Sequence, residues 1–420
     1  MRSGTQRSPG RAARGAAGFT LIELLVALAV TVLVLVGVLI MFDFNNKLAR
    51  AQTNLAEMQQ SVRVAQGSML RTVRMAGRGK LPVGNLPQGV AIGVCNNAQV
   101  DPACARSEIA TGFTDSPTVV PGSDVLTVRG IFSAPIWQIN HTDSTTFAVN
   151  ASSNPITGTL RITSISHTGV PQATEALVNA LTGGDPIPEA LLLTSPLDDQ
   201  IFAVIEVDPL ASDVSDPDNL LIGFKYSGGE NTDAYQQLTG GAAFPSALTS
   251  VAFAGILEEY RYYIRAERAI PGDDTSELRP RLSVARMFPG SEVPYAASLQ
   301  QAAMDIADNI LDLQVALGID LNADGAVPDT AAADDEWLFN HEDDDEDPML
   351  WNPAGRRLSY LRISTLARTE RPDWQYVAEP IAAIEDRLYN EPAAPADETE
   401  RQERMFRRRV LGTIVDMRNL

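Results

Sequence analysis

At 420 residues the chain is long enough for one large domain or two to three ordinary ones, and its 45% hydrophobic content excludes general disorder. The formal net charge is −20, unevenly spread: residues 1–18 hold Arg2, Arg7, Arg11 and Arg14 and no acid, so without those four positive charges the remainder carries −24. A body that acidic repels phosphates and anionic lipid, which argues against nucleic-acid binding and favours cations and basic partner surfaces.

From Leu24 to Phe42, 19 consecutive residues lack a charge, about 28 Å of helix against a hydrocarbon core of about 30 Å. The arginines before this run keep the N-terminus in the cytoplasm and put residues beyond Asp43 outside the inner membrane. A secretory signal peptide fits poorly, because Gly15, Ala16, Ala17 and Gly18 precede the apolar run, whereas a signal cleavage site follows it. Glu23 interrupts the apolar pattern. An unpaired carboxylate there would cost several kcal/mol, so it either reaches toward water at the membrane edge or meets a cationic partner.

The helical pattern continues past the apolar run. No proline occurs between Pro9 and Pro82, and Leu48, Leu55, Met58, Val62, Ala65, Met69 and Val73 recur at helical steps. Residues 43–80 therefore read as an amphipathic continuation, stopped by Gly77, Gly79 and Pro82. Cys95 and Cys104, the only cysteines, lie in a loop-like stretch with Asn96, Asn97 and Pro102. In an oxidising compartment they read as a small disulfide loop, a local staple of about 3 kcal/mol in the chain-entropy picture, rather than a metal site.

Beyond residue 81 the pattern turns β-rich. Short β-favouring runs fall at 124–129, 159–163, 201–207, 220–226, 260–264, 358–364 and 410–415, separated by Gly, Pro, Asn and Asp clusters. With no 20–50-residue repeat, the expected fold is α+β. It has a long N-terminal α-helix packed on one antiparallel β-rich globular head (81–420), enlarged by loops and with room for an inserted sub-domain within about 140–250.

Asp320-Leu321-Asn322-Ala323-Asp324-Gly325 sets three oxygen-bearing side chains at alternate positions before a glycine, the opening half of an EF-hand calcium loop. The Ala326 carbonyl would add a ligand. The twelfth position is Ala331 where a bidentate Glu belongs, so Asp329, Asp334 or Asp335 would have to substitute. A calcium-type site over Asp320, Asn322, Asp324, Ala326 and Asp329 stands against a polar turn using Asp and Asn for turn chemistry. From Asp334 to Asp347 nine of fourteen residues are acidic, a solvated loop by its composition. Arg401, Arg404, Arg407, Arg408 and Arg409 form the opposite run. His141, His167 and His341 are far apart in sequence, and no nucleophile elbow, P-loop or dinucleotide fingerprint occurs, so no catalytic residue and no enzyme activity are expected.

Gly18-Phe19-Thr20-Leu21-Ile22-Glu23-Leu24-Leu25-Val26-Ala27 resembles the prepilin processing signal of type IV pilins and type II secretion pseudopilins. The resemblance implies a cytoplasmic leader 1–18 cut by prepilin peptidase between Gly18 and Phe19, N-methylation of Phe19, and a transmembrane and assembly helix over 19–42. It also implies that Glu23 pairs with the Phe19 amine of a neighbouring subunit. Asp124–Gly130, Tyr262–Arg265, Ile306–Asp320 and Arg407–Asn419 fall in the order seen in PilW-like minor pilins, while 130–255 matches no named pattern. That family implies an inner-membrane single-pass protein with a periplasmic head. After assembly it would sit at the pilus tip and prime the fibre, with the major pilin, other minor pilins, the inner-membrane assembly platform and a tip adhesin as partners. A type II secretion pseudopilin and a tip-exposed adhesin are the alternatives.

Overall fold

A long run without proline, with Gly37 and Gly67 as its two glycines, becomes helix α1 (Leu21–Val73). The computed structural model of the chain describes residues 20–81, 91–98, 119–141, 148–150, 152, 156–166, 168–169, 174–182, 190–196, 201–226, 251–268, 270, 273, 278–290, 295, 303–320, 324–328, 336–341 and 357–417. The chain divides into two compact units, one ending at Asn54 and the other beginning at Leu55.

In the first unit every large apolar side chain from Leu21 to Phe44 is exposed. An 18-residue stretch there reaches a mean hydropathy of 3.2, long and apolar enough to cross a membrane. The hydroxyl of Thr31 donates to the Ala27 carbonyl at 2.7 Å, which satisfies it within the apolar run. Asp43 and Lys47 pair one turn apart at 2.8 Å, where charges resume after the Leu24–Phe42 run. Leu48, which shares the helical stripe by spacing, is exposed.

In the second unit Met58, Val62, Ala65, Met69 and Val73 of α1 are buried, at steps of three and four residues. The regular helix ends at Val73, seven residues before the expected stop at 80. Residues 74–80 are turns in which Gly77 and Gly79 take φ of 74° and 101°. At Gly79 a Cβ would lie 2.5 Å from the Ile131 side chain, so both conformation and space require glycine there.

The head is antiparallel throughout, in three sheets and one small hairpin. The first sheet runs β1 (Ile92–Cys95), β2 (Val125–Gly130), β10 (Glu258–Arg268), β11 (Leu278–Met287), β12 (Ala303–Asp308). The second runs β14 (Trp337–Leu338), β13 (Ile310–Asp320), β15 (Arg357–Arg368), β18 (Arg408–Asp416). The third runs β3 (Trp137–Ile139), β9 (Phe253–Ile256), β6 (Ala190–Thr194), β7 (Phe202–Asp213), β8 (Asn219–Lys225), β5 (Thr157–Ser166), β4 (Ala148–Asn150). Because β3 pairs with both β9 and β5, six of these strands close into a small barrel, with β4 added outside β5. Trp137, Leu160, Ile162, Leu193, Ile222 and Phe224 are buried, and one continuous apolar core joins the barrel strands to the other sheets and to the helix stripe. Helix α2 (Glu175–Thr182) lies in the same region of the chain.

Every expected β-run coincides with a strand. Alternation explains why: on β13 Leu313, Val315 and Leu317 face the core, whereas Asp312 and Gln314 face the other side. That second side is covered by a hairpin of β16 (Ala383–Ile384) and β17 (Arg387–Leu388). Its turn residue Glu385, at φ 52°, accepts hydrogen bonds from Arg362 and Ser364, both at 2.6 Å. Asp386 accepts from Asn96 at 2.6 Å and Asn97 at 3.0 Å, and Arg387 donates to Asp312 at 2.7 Å. The hairpin thereby ties β1, β13 and β15 together through buried polar contacts. Asp124 is fully buried beneath it and takes the N–H groups of Asn97 and Val315. Burial first, and then the nearby Asp386, push its carboxyl well up from the ordinary value. A short helix, α3 (Glu398–Glu403), capped by Asp397, leads into β18.

One buried polar side chain fastens α1 to the last strand. Gln66 donates to the Leu411 carbonyl at 2.5 Å and accepts from the Thr413 hydroxyl at 2.7 Å. Replacing Gln66 with leucine strands the Thr413 hydroxyl against an apolar group and should cost about 1–3 kcal/mol. Chemical denaturation of the full chain in detergent measures this, and a loss below a few tenths of a kcal/mol would refute the fastening role.

Candidate functional site

Two places carry chemistry beyond packing. The first is the start of α1. Gly18 and Phe19, the expected processing residues, lie outside the described residues. Thr20 and Glu23 lie within them and form a reciprocal cap. The Glu23 backbone N–H donates to the Thr20 hydroxyl at 3.2 Å, while the Thr20 N–H and hydroxyl both donate to Glu23 Oε2 at 2.9 Å. This is the capping-box arrangement, in which a Thr and a Glu three residues later satisfy donors that a helix start leaves open. Both groups are exposed. The Thr-x-x-Glu spacing signals this cap in the sequence, so Glu23 has an intramolecular partner as well as its expected intermolecular one.

The second place is the loop after β13. Asp320 Oδ2 accepts from the Gly325 N–H at 2.9 Å, and Asp324 Oδ1 accepts from the Ala326 N–H at 2.7 Å. Gly325 takes φ 82°, as a tight turn of this kind requires. Asn322 and Asp329, expected as ligands, lie outside the described residues, as do Asp334 and Asp335. The carboxylate that joins Asp320 and Asp324 is Glu336: oxygen atoms of the three lie within 4.8 Å of one another. Asp320 Oδ1 is buried without a hydrogen-bond partner among the described residues. Glu336, which the sequence places in a solvated acidic run, is buried. Its backbone explains this, since Glu336 C=O accepts from Ile319 N–H at 2.8 Å and leads directly into β14. Trp337, stacked on Tyr360, then donates its indole N–H to the Val327 carbonyl and holds the loop's far side.

The other expected residues divide as follows. Cys95, at the end of β1, is disulfide-bonded, and Cys104 lies outside the described residues. His141 donates its Nε2 to the Val251 carbonyl beside the barrel, and His167 lies outside the described residues. The arginine run pairs with the arm that precedes it. Arg407 meets Asp373 at 2.9 Å, Arg408 grips Glu391 with two bonds of 2.6 and 2.7 Å, and Arg404 donates to the Ala378 carbonyl. The acidic run 342–347 lies outside the described residues.

A family model described as the prokaryotic N-terminal methylation motif matches residues 13–39. No curated protein and no solved structure matches the chain. The motif supports a type IV pilin-like or pseudopilin-like protein processed by prepilin peptidase and assembled with other pilins. With the apolar helix it fits a single-pass protein anchored in the inner membrane.

Proposed function

We propose that this chain is a non-enzymatic minor pilin of the PilW kind that helps prime assembly of a type IV pilus and ends at the fibre tip, its head periplasmic beforehand. The observation that carries the reading is the methylation motif heading a helix whose exposed Leu24–Phe42 stretch is charge-free and whose continuation from Leu55 belongs to the β-rich unit. A head of that size, enlarged by a barrel, suits a tip position better than lateral packing in a thin fibre. Its partners on this reading are prepilin peptidase, the major pilin, other minor pilins, the inner-membrane assembly platform and a tip adhesin.

The test is processing followed by phenotype. A bulky substitution at Gly18 is expected to leave the leader attached, and mass spectrometry of the wild-type mature chain is expected to show methylated Phe19 at its N-terminus. A mature chain beginning elsewhere removes the processing claim. Deletion is expected to abolish surface pili. Pili that persist without attachment would indicate an adhesin instead, and failed protein secretion with normal pili would indicate a type II secretion pseudopilin.

For the Asp320 loop we propose a calcium ion held by Asp320, Asp324 and Glu336, with Asn322, the Ala326 carbonyl and Asp329 as further oxygen donors. The supporting observation is the convergence of three carboxylates, one of them with a buried, unsatisfied oxygen. Hard oxygen ligands suit calcium, and the ion would relieve their mutual repulsion. Chelation is expected to lower the Tm of the full chain in detergent by several degrees, and Asp320→Ala/Asp324→Ala is expected to lose that response. An equal response in the double variant would remove the loop from the reading.

A further inference from the structure

Sheet edges are where one chain can add to another, so the edges of the head show where it is open. The barrel closes upon itself, and its added strand β4 has three residues. In the first sheet β1 has four residues, while β12 carries a register shift against β11 and ion-paired aspartates, Asp305 with Arg265 and Asp308 with Arg281. In the second sheet β14 has two residues. Short strands, bulges and inward charges are the usual means of blunting an edge. The other end of that sheet is different: β18 has nine residues and pairs with β15 from end to end without a register shift.

Alternation fixes which of its backbone groups face outward. Thr369 N–H donates to Arg407 C=O at 2.9 Å and Met417 N–H donates to Ser359 C=O at 2.8 Å, so the odd-numbered residues address β15. The N–H and C=O groups of residues 408, 410, 412, 414 and 416 therefore point away from the sheet. On the face opposite the core the same residues carry Val410, Gly412 and Ile414, of which Val410 is 44% and Ile414 57% exposed.

We propose that β18 is a self-association edge, pairing antiparallel with β18 of a second copy of this chain about a two-fold axis at Gly412. The sequence of the strand is complementary to its own reverse in that register. Gly412 meets Gly412, and exposed Val410 meets exposed Ile414 twice. All outward-facing residues then fall into hydrogen-bonded pairs, and the two four-stranded sheets join into one of eight. Cross-strand apolar pairs of this kind stabilise a ladder. This inference goes beyond the proposed role in pilus priming and does not depend on it.

Cysteine substitution tests the register in the full-length chain in its own membrane. In Val410→Cys/Ile414→Cys the two thiols of one chain lie about 13 Å apart along the strand, beyond disulfide reach, so any bond between them joins two copies. Both positions are exposed, so the substitutions leave the core intact. Oxidation is expected to convert the double variant to a disulfide dimer. Each single variant is expected to stay monomeric, because residue 410 faces 414 of its partner and not another 410. Mixing the two single variants should restore the dimer. No dimer from the double variant, equal dimer from the single ones, or a cross-link to a different protein would each overturn the proposal.

Discussion

Replacing Glu259 with alanine is expected to destabilise the head by about 3–5 kcal/mol, the range found when one partner of a buried ion cluster is removed. Glu259 lies fully buried on β10 between two guanidinium groups. It accepts from Arg129 of β2 and from Arg261 at 2.6 Å, and Gly290 N–H donates to it at 2.7 Å. Without the carboxylate, two buried arginines lose the counter-charge they share, which costs more than the attraction lost. Glutamine at 259 keeps an acceptor but not the charge and should fall between wild type and alanine. Burial alone would push the Glu259 carboxyl up, but Arg129, then Arg261, outweigh it and hold the carboxyl below its ordinary value of 4.5. The sign follows: this stabilisation is present above the unfolded value and is lost as pH falls through the lower folded one. Denaturation of the full chain in detergent at two pH values measures both effects. A loss below about 1 kcal/mol for Glu259→Ala would refute the buried-cluster account, as domains hold only about 5–15 kcal/mol in all.

Glu258 and Glu259 also mark where sequence reasoning stops. Adjacent glutamates read as solvated, yet both are buried, on opposite faces of a strand in the interior of its sheet. Only the long-range pairing of β10 with β2 brings Arg129 alongside, and Ser133 to Glu258. Closure of the barrel was hidden for the same reason. It depends on three residues around Trp137 meeting strands that begin at Thr157 and Phe253, and no local periodicity encodes that. The burial of Glu336 likewise follows from the placement of β14 rather than from its acidic neighbours. What was legible had a local physical signature: the two-residue alternation of β15 and β18, the three-and-four stripe from Met58 to Val73, and the charge-free run from Leu24 to Phe42. The turn after Asp320 was legible through its Asp, Asn and Gly spacing, but its third carboxylate was not.

The start of α1 offers the decisive functional prediction, because Glu23 there has two separable roles. As a cap it serves its own helix through Thr20, and glutamine can do the same, being the accepted substitute at that position of a capping box. As a charge within an apolar segment it is stabilised only by a cation, which the proposed assembly supplies as the cleaved Phe19 amine of a neighbouring subunit. Glutamine cannot do this. Glu23→Gln is therefore expected to leave peptidase processing and membrane insertion at wild-type levels while abolishing incorporation into pili, the same outcome expected of Glu23→Ala. Thr20→Ala removes the cap's hydroxyl but keeps the carboxylate, and should assemble with at most a modest loss, since a cap is worth about 1 kcal/mol. The readouts are the mass of the mature chain and its recovery in sheared pili. Normal assembly of the glutamine variant would show that the cap, and not the charge, is what Glu23 provides, and the link between processing and assembly would fall with it.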